Sequence, residues 1–191
     1  SSESFLEDLG KLRADYPQMA FAFYCNGVTC LKSYEAAQSA LEAGFDKCYA
    51  YDAGIPGWAN AYPDQTILLG KPIVDPAKQL IPKSMFAEKC VDFEQFAQIA
   101  GERGVIVVDV RDAIQRSGSL PGLENAVLMP MDQFIREFVL QKQHQDKMVL
   151  IFDQVGKQVR WLEYYLVDQG YEHYAFLKGG ATDVLGRQAY R

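Results

Sequence analysis

One arrangement of residues occurs twice in this chain and limits the folds that it can adopt. Residues 23–45 and 151–171 each begin with an apolar strand end, continue through a glycine-containing loop into an amphipathic helical pattern, and finish with Gly and an aromatic residue. Cys25 aligns with Asp153, and Gly44 aligns with Gly170. Because a whole supersecondary unit recurs, we expect two copies of one fold.

Short apolar segments alternate with helical patterns along both halves of the chain. We predict strands at residues 19–24, 47–51, 105–110, 126–128, 148–152 and 174–177. We predict helices at residues 4–16, 33–43, 92–101, 131–141 and 159–169, and a Gly- and Pro-rich turn at residues 53–58. This alternation is typical of parallel sheets. The prediction is an α/β protein with two units, each a mainly parallel sheet flanked by helices.

Prolines mark the boundary between the two units. Residues 61–89 contain Pro63, Pro72, Pro76 and Pro82, which favour an extended connection with one short helix near residues 76–80. We therefore place the first unit at residues 1–70, a linker at residues 71–91 and the second unit at residues 92–191.

Composition excludes several classes of partner. The chain of 191 residues has a formal net charge of −6 and no cluster of Lys or Arg, which argues against nucleic acid. No apolar stretch approaches the roughly 18 to 20 residues of a membrane span. The first ten residues have no signal-peptide pattern, which leaves the compartment open. The four cysteines and two histidines form no zinc-type spacing, so we expect no metal and no cofactor.

Cys25 is the candidate nucleophile. It ends a predicted strand, and a short loop joins it to the N-terminus of a predicted helix that begins at Ser33. Backbone N–H groups and the helix dipole favour an anion at such a place, which lowers the pKa of a thiol. The predicted anion-binding loop comprises Asn26, Gly27, Val28, Thr29, Cys30, Leu31, Lys32 and Ser33.

Further motifs make the chain resemble the rhodanese family of sulfurtransferases. The second unit has Asp109-Val110-Arg111 at a strand end, a Gly-x-Leu-Pro-Gly turn at residues 118–122 and a Gly-Gly ending at residues 179–180. The first unit matches only the second half of such a domain, through the Cys25 loop and a Gly-Ile-Pro-Gly-Trp segment at residues 54–58. Together these motifs cover most of the chain.

The resemblance implies a reaction. Cys25 would accept a sulfane sulfur from a small-molecule donor such as thiosulfate and pass it from a persulfide to a thiol, to cyanide or to a protein acceptor. The loop N–H groups would hold the anionic donor. Lys32 would supply a positive charge, and the Ser33 hydroxyl would cap the helix.

Three departures from the family pattern leave alternatives open. Cys30 is a second cysteine in a lengthened loop, and either resolves an oxidised or persulfidated Cys25 as a disulfide or points away without a role. Asp153 stands at the nucleophile position of the second unit, which resembles catalytically inactive rhodanese domains. The first unit lacks the N-terminal half of the pattern, so the chain is a fragment of a longer protein or a second chain completes the domain.

Two other functional classes remain as alternatives. The same fold serves as a redox sensor or a phosphatase-like hydrolase, although residues 25–33 contain no Arg for bidentate phosphate binding. A non-catalytic sulfur-relay or binding module is the third hypothesis. The loop with two cysteines resembles that of exported bacterial rhodaneses, which favours the periplasm over the cytoplasm.

Overall fold

A computed structural model describes residues 2–25, 32–116 and 118–188, which belong to two compact units. Unit 1 comprises residues 1–79 and unit 2 comprises residues 80–191. Residues 80–91, which we predicted as part of a linker, thus lie in unit 2. Within the described ranges, no helix has the length and apolar character needed to cross a bilayer.

Unit 1 is built on two short parallel strands. Phe21 lies opposite Cys48, and Tyr24 lies opposite Tyr51. A two-residue antiparallel pair follows later in the unit. Its elements are α1 (Ser2–Asp15), β1 (Phe21–Tyr24), α2 (Lys32–Glu42), β2 (Cys48–Tyr51), α3 (Gly54–Ala61), β3 (Ile67–Leu68), β4 (Lys71–Pro72) and α4 (Pro76–Gln79).

Helices cover one face of the β1–β2 pair. Leu9 of α1 and Ala40 of α2 form a buried cluster with Cys48, and the rings of Phe21 and Phe23 pack against it. These strand residues share a face because side chains alternate along a strand and paired residues point the same way. The core of unit 1 therefore lies on this side of its sheet.

Unit 2 contains a five-stranded, wholly parallel sheet, as the alternation of strands and helices predicted. Its strand order is β5-β9-β8-β6-β7. The elements are α5 (Lys83–Glu88), β5 (Cys90–Val91), α6 (Phe93–Ala100), β6 (Ile106–Asp109), β7 (Val127–Leu128), α7 (Met131–Gln133), β8 (Val149–Phe152), α8 (Val159–Asp168), β9 (Tyr174–Leu177) and α9 (Gly180–Gln188).

Apolar clusters lie on both faces of this sheet. On one face, Val149 and Ile151 pack with residues of α8 and of the π-helix Phe134–Val139. On the other face, Leu150 and Phe152 pack with residues of α6 and α9. The four residues of β8 are all buried, as expected for a central strand covered on both sides.

Two segments differ from the sequence predictions. The predicted turn at residues 53–58 is the start of α3, because Gly54 adopts a φ of +63° and Pro56 falls in the first turn, where no intrahelical N–H bond is lost. The predicted helix at residues 131–141 is present but widens into the π-helix Phe134–Val139 after three residues. Propensity alone does not distinguish these local choices.

Glu163 is a buried acid in the core of unit 2. Its Oε1 accepts a hydrogen bond from the Tyr174 hydroxyl at 3.2 Å, whereas Oε2 has no hydrogen-bond partner among the described residues. Burial raises the pKa of Glu163 above its ordinary value, and the bond from Tyr174 only partly opposes this effect. Its ionised form is therefore unfavourable in the folded state.

We expect Glu163→Gln to make unfolding less dependent on pH. A raised folded-state pKa gives full stability below the ordinary value of 4.5, and this contribution is lost as the pH rises through the folded value. Urea unfolding between about pH 4 and pH 8 should show the variant gaining stability over the wild type towards high pH. Glu172→Gln, at an exposed site, is the control. Equal pH slopes for wild type and Glu163→Gln would contradict this account.

Candidate functional site

Cys25 lies at the carboxyl end of β1, directly before the loop that leads to α2. Its carbonyl oxygen accepts a hydrogen bond of 2.9 Å from the backbone N–H of Ile55 in α3. Cys25 is partly buried and disulfide-bonded. Because Cys48 and Cys90 are free thiols, the partner sulfur is not among the described residues.

Two of the predicted loop residues belong to the described chain. Lys32 begins α2 with an exposed side chain, and Ser33 follows it with only 3% of its surface exposed. The other six predicted positions lie outside the described residues: Asn26, Gly27, Val28, Thr29, Cys30 and Leu31.

Unit 2 has the same backbone connection at Asp153. This residue directly follows β8, and its carbonyl oxygen accepts a hydrogen bond of 2.9 Å from the N–H of Ala181 in α9. Gly54 and Gly180, one residue before each donor, both have a φ of +63°. The two strand ends are thus joined to a later helix by the same bond and the same glycine conformation.

The helices after the two loops also end alike. Phe45 N–H donates to the carbonyl of Ala40 at 3.0 Å, and Tyr171 N–H donates to that of Leu166 at 2.9 Å. The preceding residues, Gly44 and Gly170, have φ values of +90° and +81°. This left-handed ending is one that glycine adopts readily.

The Asp153 carboxylate lies in a cradle of backbone N–H groups. Oδ1 accepts from Val155 at 3.1 Å and closely from Gly156, while Oδ2 accepts from Gln158 at 2.6 Å and from Val159 at 3.2 Å. The side chain is fully buried. Two donors belong to the start of α8, where the helix dipole favours a negative group. This loop therefore binds an anion, and that anion is the protein's own carboxylate.

Glycines make this cradle compact. A Cβ on Gly180 would lie 2.6 Å from the backbone nitrogens of Val155 and Gly156. A Cβ on Gly156 would lie 2.9 Å from the nitrogen of Gly179. Because real Cβ atoms do not approach so closely, the loop and the start of α9 require these glycines.

Arg111 forms an internal ion pair with Asp109. Its Nε donates to Asp109 Oδ1 at 2.9 Å and its Nη2 donates to Oδ2 at 2.7 Å. Nη2 also donates to the carbonyl of Gly118 at 3.1 Å. The guanidinium is fully buried, so its role is to hold the 118–122 turn against β6.

The two free thiols are poor nucleophiles. Cys48 is buried in the core of unit 1, and burial raises its pKa. Burial also raises the pKa of Cys90 to about 11, and the nearby Glu163 adds to this shift. Both thiols are therefore protonated near neutral pH, which leaves Cys25 as the candidate nucleophile among the described cysteines.

An apolar groove beside Cys25 was not predicted from the sequence. It has a volume of about 480 Å³ and lies on the face of β1 and β2 that α1 and α2 do not cover. The sequence feature that could have indicated this groove is the alternation of side chains along β1, which places Ala22 and Tyr24 on one face. The lining residues are Ala22, Tyr24, Tyr51, Ile55, Trp58, Gln65, Thr66 and Ile67.

Comparisons with known proteins gave matches to solved structures only. No protein-family model and no curated protein matches the chain. A protein of unknown function from Rhodopseudomonas palustris, named as a possible tyrosine phosphatase, matches with a TM-score of 0.44 and 16% identity. That match covers 57% of this chain and 92% of the other.

Rhodanese-like domains are among the other structural matches. One from Anabaena sp. has a TM-score of 0.43 and 20% identity over 52% of this chain and 74% of that chain. Another, from Staphylococcus aureus, has a TM-score of 0.40 and 23% identity over 50% of this chain and 89% of that chain.

We expect Asp153→Ala to destabilise unit 2, because four backbone N–H groups would lose the acceptor that the buried carboxylate provides. The loss in free energy of unfolding should be at least about 3 kcal/mol, measured by urea denaturation. Added acetate should restore part of this loss in the variant, since a free carboxylate can enter the vacated cradle, and should leave the wild type unchanged. Asp146→Ala, at an exposed site, is the matched control. A variant as stable as this control would refute the cradle's contribution.

Proposed function

We propose that this protein is a rhodanese-like sulfurtransferase in which Cys25 carries the transferred sulfur as a persulfide. The observation that carries this proposal is the Asp153 cradle. In unit 2, the backbone that follows the corresponding strand end offers four N–H groups to an anion. Cys25 occupies the same place in unit 1 by its bond to Ile55 and by the conformation of Gly54. A thiolate there would receive the same kind of stabilisation.

Unit 2 is, on this proposal, a catalytically inactive copy of the domain. A carboxylate cannot carry a sulfane sulfur as a thiol does, and the Asp153 side chain already fills the cradle that a donor would need. The proposed tandem organisation rests on the matching strand ends, glycines and helix ends of the two units. It gives one active and one structural domain within the 191 residues.

The reaction is two successive displacements at sulfur. The Cys25 thiolate attacks the outer sulfur of a donor such as thiosulfate, and a new S–S bond forms as the old one breaks and sulfite leaves with the electron pair. An acceptor thiolate or cyanide then attacks the terminal sulfur and releases the Cys25 thiolate. The persulfide thus divides one transfer into two steps, and no external oxidant is needed.

The proposed anion-binding groups come from the loop and the start of α2. The N–H groups of residues 26–32 would hold the sulfonate end of the donor. Lys32 adds a positive charge at the first position of α2. The segment from Cys25 to the start of α2 is one residue longer than that from Asp153 to the start of α8, and we propose that the donor binds beside it.

Reduction precedes catalysis in this proposal. The disulfide at Cys25 blocks attack on a donor, so a thiol reductant must first release the thiolate. The same observation favours the second candidate function, in which Cys25 senses oxidation and does not transfer sulfur. The two functions differ in whether the reduced protein takes up sulfur.

We expect Cys25→Ser to abolish sulfur loading. The reduced wild-type chain, incubated with thiosulfate, should gain the mass of one sulfur atom in intact-protein mass spectrometry and lose it on addition of cyanide. Cys25→Ser should gain none, because a serine hydroxyl does not form a persulfide. Cys48→Ser and Cys90→Ser are the controls and should load as the wild type does. Full loading of Cys25→Ser would show that the nucleophile is a different residue.

Replacing Cys30 should separate sulfur transfer from oxidation sensitivity. We expect reduced Cys30→Ser to load sulfur from thiosulfate, because the attacking thiolate is unchanged. Under hydrogen peroxide the variant should proceed to higher oxidation states of Cys25 that thiols do not reverse, since no resolving cysteine is present. Mass spectrometry before and after thiol treatment measures both properties. If Cys30→Ser fails to load although it is folded, Cys30 takes part in the transfer itself.

A further inference from the structure

We infer that unit 1 presents a docking surface for a partner protein. The partner would supply a segment that forms an amphipathic helix followed by a β-strand. The surface consists of the outer edge of β1 and the face that carries Ala22, Tyr24, Tyr49 and Tyr51, here called the aromatic face. This inference is independent of sulfur transfer at Cys25.

Much of the aromatic face is exposed, although Tyr51 packs edge-on against Trp58 with the ring centroids 6.2 Å apart. Tyr24 is 61% exposed and Tyr49 is 60% exposed, although both lie in strands. The 480 Å³ groove opens on this face, with Trp58 and Ile55 of α3 along one wall. A contiguous exposed apolar patch is typical of an interaction site. Tyrosine and tryptophan, which combine an apolar body with a polar group, are enriched at such interfaces.

The corresponding face of unit 2 shows what covers such a surface. Phe152 precedes Asp153 as Tyr24 precedes Cys25, yet Phe152 is only 1% exposed. The ring of Phe96, from α6, packs edge-on against Phe152 with the ring centroids 6.2 Å apart. Leu120 completes this contact from the loop after β6. The groove of unit 1 thus lies where unit 2 holds the apolar side of a helix.

The strand edges differ in the same way. β8 pairs with β9 on one side and with β6 on the other, where Val149 lies opposite Ile106. Among the described residues, β1 pairs only with β2. Its outer edge therefore presents backbone donors and acceptors next to the aromatic face. A free edge of this kind is a template for addition of a strand.

These two features define the chemistry of the occupant. A small apolar ligand would fill the groove but leave the strand edge without hydrogen bonds, whereas a helix–strand segment satisfies both. In unit 2 that segment is α6 followed by β6, residues 92–110. The partner should therefore carry an aromatic side chain on its helix, as Phe96 is carried, and an apolar, β-branched strand that runs parallel to β1.

The test joins a copy of residues 92–110 to the front of the full chain through a flexible Gly/Ser linker, which gives the segment a high effective concentration. Trp161→Phe in the same chain leaves Trp58 as the single tryptophan reporter. We expect a blue shift of Trp58 emission relative to the chain without the added segment. We also expect at least tenfold slower amide hydrogen exchange across β1.

Matched variants decide the interpretation. Tyr24→Asp should abolish both effects, because it places a charge in the groove, whereas Tyr34→Asp, at an exposed tyrosine of α2 outside the groove, should preserve them. An added segment that carries Asp at the copy of Phe96 should give neither effect. Unchanged Trp58 emission and β1 exchange would overturn the inference, as would effects that persist in Tyr24→Asp. A concentration-dependent dimer of the original chain that itself buries Trp58 would also overturn it, in favour of a second copy.

Discussion

The hydrogen bond between a strand end and the start of a later helix organises both units of this protein. The carbonyl of Cys25 or Asp153 accepts from the second residue of that helix, and the preceding glycine turns the chain so that the N–H can reach it. In each unit, this bond fixes the residue that directly follows the strand. At Asp153, the N–H groups of the following loop point towards the side chain. The side chain at this position differs between the units: it is Cys25 in unit 1 and Asp153 in unit 2.

The two units make opposite use of this position. In unit 2 the carboxylate of Asp153 itself occupies the cradle. Its hydrogen bonds with four N–H groups hold the strand end, the loop and the start of the helix together. In unit 1 the corresponding residue is Cys25, which is disulfide-bonded, and the segment that joins it to the next helix is one residue longer than in unit 2. The thiolate that we propose for Cys25 would depend on the same kind of backbone arrangement, since hydrogen bonds to an ionised group are strong.

The two units differ more in how their sheet faces are buried than in the course of their backbones. The sheet of unit 2 has helices on both faces. The β1–β2 pair of unit 1 has one face buried under α1 and α2, and on its other face Tyr24 and Tyr49 are exposed. Two strands of four residues gain little stability by themselves, so the packing of α1 and α2 is what maintains them. The side chains of the aromatic face do not belong to the buried core cluster of unit 1.

Much of the fold followed from local patterns. The predicted strands at residues 148–152 and 174–177 correspond to β8 and β9, because short continuous runs of apolar residues favour a buried parallel strand. The helix α6 begins after Asp92, whose side chain accepts from Gln95 N–H as an N-cap does. Short elements were harder to predict: β5 and β3 have two residues each and exist only because a neighbouring strand completes their hydrogen bonds.

The features of the candidate site also fall into those that local sequence patterns predict and those that depend on long-range contacts. The sequence by itself determined the α/β alternation, the recurrence that aligns Cys25 with Asp153, and the glycines at which helices end, because these depend on side-chain periodicity and backbone conformation within short segments. Only the tertiary structure decided that four N–H groups converge on the Asp153 carboxylate and that Arg111 forms a buried ion pair with Asp109. It also decided that Tyr24 faces solvent while Phe152 is buried. Each of these depends on residues far apart in the chain, whose contacts no local pattern specifies.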